Sequence, residues 1–187
     1  MIKVFVAVFW DEFFLKIIFL KRRLTTQHKT KNMDKILLLN GPNTNMFGRR
    51  PPAIYGTETL NDIEQMVKAL GKEMGYGIDY RQSNEKGFLI NNIQQAPNWA
   101  KGIILNAGGL THYAWDLRDA VEIARDLGTP TVEIHISNIH QRESFRDFSV
   151  FSTAPSVVLK QICGEGVEGY CHALRALVAH LKSGTQA

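Results

Sequence analysis

Residues 101–138, KGIILNAGGLTHYAWDLRDAVEIARDLGTPTVEIHISN, contain a short apolar run, a Gly-rich turn, an amphipathic stretch and a second apolar run. Residues 102–105 have the length and composition of a buried strand, and Asn106-Ala107-Gly108-Gly109 stops it. Residues 114–127 place Leu117, Val121, Ala124 and Leu127 on one helical face, and Gly128 ends the helix. Residues 131–136 form another apolar run. Strand, helix and strand in this order make a βαβ crossover, which joins two parallel strands.

The alternation repeats on both sides. Residues 36–39 are an apolar run ending at Asn40-Gly41-Pro42-Asn43, and residues 44–56 form a loop rich in Gly, Pro and Arg. Leu60, Ile63, Val67, Leu70 and Met74 then step at helical spacing, with Thr57 or Thr59 available as N-cap. Residues 76–81 read as a second strand, and residues 87–96 as a short helix stopped by Pro97. Residues 157–162 are the fifth strand and residues 167–181 the closing helix. This pattern predicts a flavodoxin-like open five-stranded parallel sheet, order 2-1-3-4-5, with helices on both faces. Ligands in such sheets sit beyond the carboxyl ends of the strands, near the switch point. Asn43, Ser83, Asn84, Asn106, His135 and Ser137 all gather at that edge.

At 187 residues with 44% apolar side chains, the chain suits one domain. The formal charge of +4 is confined to residues 1–34, which carry seven basic against three acidic side chains; the remainder has fifteen of each. The basic pI therefore points to no nucleic-acid partner. We expect residues 1–34 to be an N-terminal extension outside the fold, with Met33 as the initiator, and residues 35–187 to be a single flavodoxin-like domain. The alternative for the extension is an accessory helix. Asp11, Glu12 and Lys16 interrupt its apolar runs, and Lys21-Arg22-Arg23 follows them, so neither a membrane span nor a secretory signal is expected. Cys163 and Cys171 form no C-x-x-C, which fits a reducing, cytoplasmic compartment.

The strand-end motifs carry the chemistry. Asn43 can project a carboxamide into the crevice, although such residues often satisfy only their own loop. The G-x-x-x-x-G-K-[ST] spacing of a phosphate loop is absent. In Gly48-Arg49-Arg50-Pro51-Pro52-Ala53-Ile54-Tyr55-Gly56, a phenol lies five residues after a guanidinium. Tyrosine ionises near pH 10 in water, and a close arginine favours the phenolate, which would make Tyr55 a usable base. The competing possibility is a solvated basic loop with Tyr55 packed on the sheet edge. The flanking glycines suit a lid. His135 and Glu133 share one strand face, and a histidine at that end is placed for general acid work. Amides at Ile136 and Ser137 could hold a carboxylate, with Arg142 and Arg146 adding cations at the same mouth. The six His show no H-x-x-x-H or H-E-x-x-H spacing, so we expect no catalytic metal.

Four motifs, NGPN, GRRPPAIYG, LNAGGLTH with LRDA, and VEIHISN followed by R-x-x-x-R, together resemble type II 3-dehydroquinate dehydratase from about Lys35 to Leu181. The resemblance implies a hydro-lyase that converts 3-dehydroquinate to 3-dehydroshikimate through an enolate, in aromatic biosynthesis or quinate breakdown. It implies Tyr55 as base, Arg50 as its transition-state-stabilising neighbour, His135 as general acid, and Asn43 as the group that orients a water against the enolate oxygen. Asn106 and His112 then surround the substrate hydroxyls, and Asp119 reaches the site across a subunit contact. Ile136 and Ser137 take the carboxylate, and Arg146 contacts a ring hydroxyl. The family works without cofactor as a homododecamer of trimers. This chain departs from it at Pro51, where an acidic residue is usual, and at Asp147-Phe148-Ser149-Val150-Phe151, where histidine or basic residues and a tyrosine are common. A flavodoxin-like module that binds a small anion without turning it over is the alternative class.

Overall fold

The computed structural model describes residues 33–184. Its strands are β1 (Lys35–Asn40), β2 (Gly77–Gln82), β3 (Ala100–Asn106), β4 (Thr131–His135) and β5 (Lys160–Cys163), all parallel, in the order β2-β1-β3-β4-β5. The helices are α1 (Pro52–Tyr55), α2 (Leu60–Met74), α3 (Lys86–Gln95), α4 (Trp115–Asp126) and α5 (Glu168–Ser183). The expected topology is therefore the observed one.

A parallel sheet needs cover on both faces, so its central strands read as unbroken apolar runs. In β1, Leu37 and Leu39 join the core cluster that contains Leu89 and Ile93 of α3 and Leu117 and Val121 of α4. Ile36 and Leu38 point the opposite way, into the cluster with Ile63 and Val67 of α2 and Leu174 and Leu177 of α5. One strand thus ties two cores together. The α5 side packs tightly: a Cβ on Gly102 of β3 would lie 2.8 Å from Leu177. Helix α2 opens on a capping box between Thr59 and Asp62, worth about 1 kcal/mol, and closes at Gly75 in the left-handed region, φ 87°.

The fifth strand begins later than residue 157. Val157 and Val158 are buried as expected, but Ser156 Oγ donates to the Val158 carbonyl at 2.9 Å and accepts from its N–H at 3.3 Å. That local pairing keeps Val158 off the ladder, the usual competition of a serine with sheet bonding. The Arg-rich loop also contains an unanticipated element, the single turn α1, which Pro52 starts at a position where a helix needs no N–H. Residues 1–32 lie outside the described residues, so the expectations for the extension fall there except at Met33 and Asp34.

Candidate active site

The site begins where β1 and β3 end together, since Asn40 and Asn106 are register partners. Gly41 N–H donates to the Asn106 carbonyl at 2.7 Å, and a Cβ there would come within 2.7 Å of the Ala107 carbonyl oxygen. Only glycine allows that crossing. Asn43 follows in the left-handed region, φ 65°, its N–H bonded to Asn84 Oδ1 at 3.0 Å. This anchors the loop after β1 to the loop after β2 and leaves the exposed Asn43 at the cavity wall.

Gly48 and Gly56 bracket the next loop with φ of 79° and 73°. Between them α1 turns Tyr55 inward against Phe47, rings stacked 6.2 Å apart. The phenol is buried, and its oxygen accepts from Arg50 Nη2 and, at 3.0 Å, from Arg142 Nη1. Arg142 also donates to Ser137 Oγ at 3.2 Å. Two guanidiniums aimed at one phenol oxygen stabilise negative charge on it.

His135 ends β4 and is 5% exposed. Its Nε2 lies 2.8 Å from Glu133 Oε1, so Nδ1 is the nitrogen left to meet a substrate. Glu133 has no exposed surface and also accepts from Thr111, from Ser149 at 2.9 and 3.0 Å, and from Gln161 at 2.9 Å. Burial pushes this carboxyl up, but hydrogen bonds from His135, Thr111 and Ser149 outweigh it and hold Glu133 below the usual carboxylate range. A carboxylate kept charged beneath the ring stabilises the imidazolium that a general acid requires.

The remaining polar groups close the ring. Asn106 is buried, its Oδ1 accepting from Gly108 N–H at 3.1 Å and its Nδ2 donating to Tyr170 Oη at 2.6 Å. His112 Nδ1 meets the Phe148 carbonyl at 2.7 Å; a carbonyl only accepts, so Nδ1 carries the hydrogen and Nε2 is free to accept. Burial holds His112 below the ordinary histidine value, which keeps that lone pair available. Ile136 and Ser137 extend past β4, and Arg146 is held by Glu143 at 2.9 Å.

Nine of the ten residues singled out in the sequence, with Arg142 beside them, border one cavity of about 190 Å³. The tenth, Asp119, is exposed on α4 and does not line it. A wider cavity of about 560 Å³ shares Ile136, Ser137 and Arg142 but none of Tyr55, Asn106 or His135, so the chemistry belongs to the smaller one. Two functional groups went unassigned in the sequence: Arg142, read only as a cation at the mouth, and Glu133, read only as sharing a face with His135. The R-x-x-x-R and E-x-H spacings were the signals. Among the described residues, no group of three His, Cys, Asp or Glu is placed to hold a metal ion.

An α/β sheet whose strand ends bring a cation-bound phenol and a carboxylate-bound imidazole to one small cavity defines an enzyme of general acid–base type. The Dehydroquinase class II family model matches residues 34–178, and the chain belongs to that family. A protein of Pelotomaculum thermopropionicum named 3-dehydroquinate dehydratase is 44% identical over 145 residues, which is 78% of this chain and 96% of that one. The protein of the same name from Rhizobium johnstonii is 48% identical over 142 residues, 76% of this chain and 94% of the relative. The crystal structure of a type II dehydroquinase from Butyrivibrio crossotus superposes with a TM-score of 0.72 at 39% identity, covering 78% of this chain and 97% of that structure.

Proposed function

We propose that the chain removes water from 3-dehydroquinate to give 3-dehydroshikimate, with Tyr55 as base and His135 as acid. One observation carries this reading: the Tyr55 oxygen receives two guanidinium hydrogen bonds beside a histidine paired with a buried carboxylate. The Tyr55 phenolate takes a proton from the carbon α to the ketone, and the freed electron pair makes an enolate. A water oriented by Asn43 donates to the enolate oxygen. The enolate then collapses, the hydroxyl on the β carbon leaves with the His135 proton as water, and a conjugated enone remains. Arg50 and Arg142 stabilise the charge while it sits on the phenol oxygen, and Asn106, His112, Arg146, Ile136 and Ser137 hold the substrate hydroxyls and carboxylate.

Mixing the protein with 3-dehydroquinate and following the ultraviolet absorbance of the enone tests the assignment. Absorbance should rise, and at the same rate after treatment with EDTA, because the proposed steps use side chains and a water but no metal ion. No rise would favour the anion-binding module; loss in EDTA with recovery on adding a divalent ion would overturn the metal-free mechanism.

We further propose a homododecamer built from trimers, each Asp119 serving a neighbour's site. Its exposure outside its own cavity supports this, as do Tyr113, Trp115 and Phe145, exposed by 54 to 64%. Light scattering of an active sample should give a mass near twelve chains, and active monomers would refute the assembly. Residues 35–187 are proposed as the whole catalytic domain, since every cavity residue lies within them. A chain shortened to start at Met33 should keep the parent's turnover; an insoluble or inactive product would make the extension part of the fold. A cytoplasmic setting suits the two free cysteines, and no helix among the described residues is long and apolar enough to cross a membrane.

A further inference from the structure

Helix α5 contributes a side chain to the edge of the site without reaching the cavity. Tyr170 has no exposed surface, and its hydroxyl lies 2.6 Å from Asn106 Nδ2 and 2.6 Å from Asn40 Oδ1. The two asparagines are register partners at the ends of β1 and β3, so the phenol bridges adjacent strands beneath the substrate pocket.

The direction of each hydrogen bond follows from one backbone group. Gly108 N–H can only donate, so the atom of Asn106 facing it at 3.1 Å is Oδ1, and Nδ2 faces Tyr170. The phenol oxygen therefore accepts from Asn106 and gives its own hydrogen to Asn40 Oδ1. Burial pushes the Tyr170 phenol far above its ordinary value, which keeps that hydrogen in place at every working pH. Asn106 retains one Nδ2 hydrogen uncommitted, on a residue that borders the cavity.

We infer that Tyr170 is a positioning residue: through the Asn40–Tyr170–Asn106 relay it acts together with Gly108 N–H to fix which face of the Asn106 carboxamide meets the substrate. The inference rests on the proposed dehydratase reading, in which Asn106 holds a substrate oxygen. Without the phenol oxygen only the longer 3.1 Å bond from Gly108 N–H holds the amide, which then turns more readily and presents Oδ1, an acceptor, where a donor is needed. Substrate binding weakens as a result, while the proton transfers at Tyr55 and His135 are left intact.

The test is a double-mutant cycle in the full chain. Tyr170→Phe should lower kcat/KM by about 10- to 100-fold, mainly through KM, as expected when a buried hydrogen-bonding group loses its partner. In an Asn106→Ala background the same substitution should change kcat/KM by less than about threefold, because the group it positions is gone. A folded Tyr170→Phe protein with the parent's kcat/KM, or one with equal losses in both backgrounds, would overturn the relay. Asn40→Ala provides a second arm, since it removes the acceptor of the phenol hydrogen and lets Tyr170 donate to a turned amide. It should raise KM with Asn106 present and not with Asn106→Ala; any other pattern counts against the relay. The Asn106 carboxamide resonances give a readout independent of turnover. Their two protons should be well separated and slow to exchange in the parent, and should exchange faster in Tyr170→Phe; unchanged exchange would overturn the relay. Should the parent not dehydrate 3-dehydroquinate, the dehydratase reading fails and these resonances still decide whether Tyr170 fixes the amide.

Discussion

Replacing Tyr55 by phenylalanine is expected to lower kcat by about 10²- to 10⁴-fold, roughly 3 to 5 kcal/mol of barrier, with little change in KM. The substitution keeps the ring on Phe47 and removes only the oxygen that Arg50 and Arg142 approach. The loss therefore reports the base and not the packing of the loop. Arg50→Ala and Arg142→Ala should each cost about 10- to 100-fold in kcat, the size of a charge-assisted hydrogen bond. Lysine at position 50 should recover part of that, since it keeps the charge but not the planar fork. Steady-state kinetics on the four variants decides the matter: a Tyr55→Phe protein within tenfold of the parent would exclude tyrosine as base and leave His135 as the next candidate.

Glu133→Gln should be almost as damaging. The carboxylate accepts from His135, Thr111, Ser149 and Gln161 at once, and an amide in its place turns one acceptor oxygen into an NH2 that faces other donors. With the counter-charge gone, the imidazolium that delivers the proton is no longer stabilised, and kcat is expected to fall by about 10²-fold or more. Stability carries a second signature. Because the folded-state value of Glu133 is depressed by its hydrogen bonds against the pull of burial, its contribution is complete above the ordinary carboxylate value of about 4.3 and is lost as pH falls through the lower folded value. The Tm of the parent should drop with pH over that acid range, and Glu133→Gln should start lower but lose less. Parent and variant with parallel Tm profiles and equal kcat would show that the carboxylate has neither role.

The sheet was readable because each central strand is buried on both faces, which leaves an unbroken apolar run such as Ile36 to Leu39, and each crossover helix keeps its own period. The misplaced start of strand five shows where this fails, since Val157 and Val158 are apolar and buried yet Ser156 holds Val158 out of the ladder. Residues that reach the cavity directly from strand ends, such as Asn43 and His135, were visible for the same topological reason. Arg142 and Tyr55 meet across 87 positions of sequence, and Glu133 gathers Thr111, Ser149 and Gln161 from three separate segments. No local period encodes such convergence, so these roles became apparent only in the folded arrangement. Asp119 differs again: its own chain gives it no place at the cavity.

Strand order also bears on how the chain is made. β1 lies in the middle of the sheet, and both of its neighbours follow it in sequence, the second ending only at Asn106. At translation rates of about 5–20 residues per second, Ile36 to Leu39 leaves the ribosome roughly 3 to 13 s before β3 is complete. During that interval this apolar strand of the future sheet has one partner at most, and an exposed strand of this kind pairs readily with other chains. Yield of folded protein in a cell should therefore be governed by the speed of elongation and the supply of chaperones, even though the finished domain buries that strand completely.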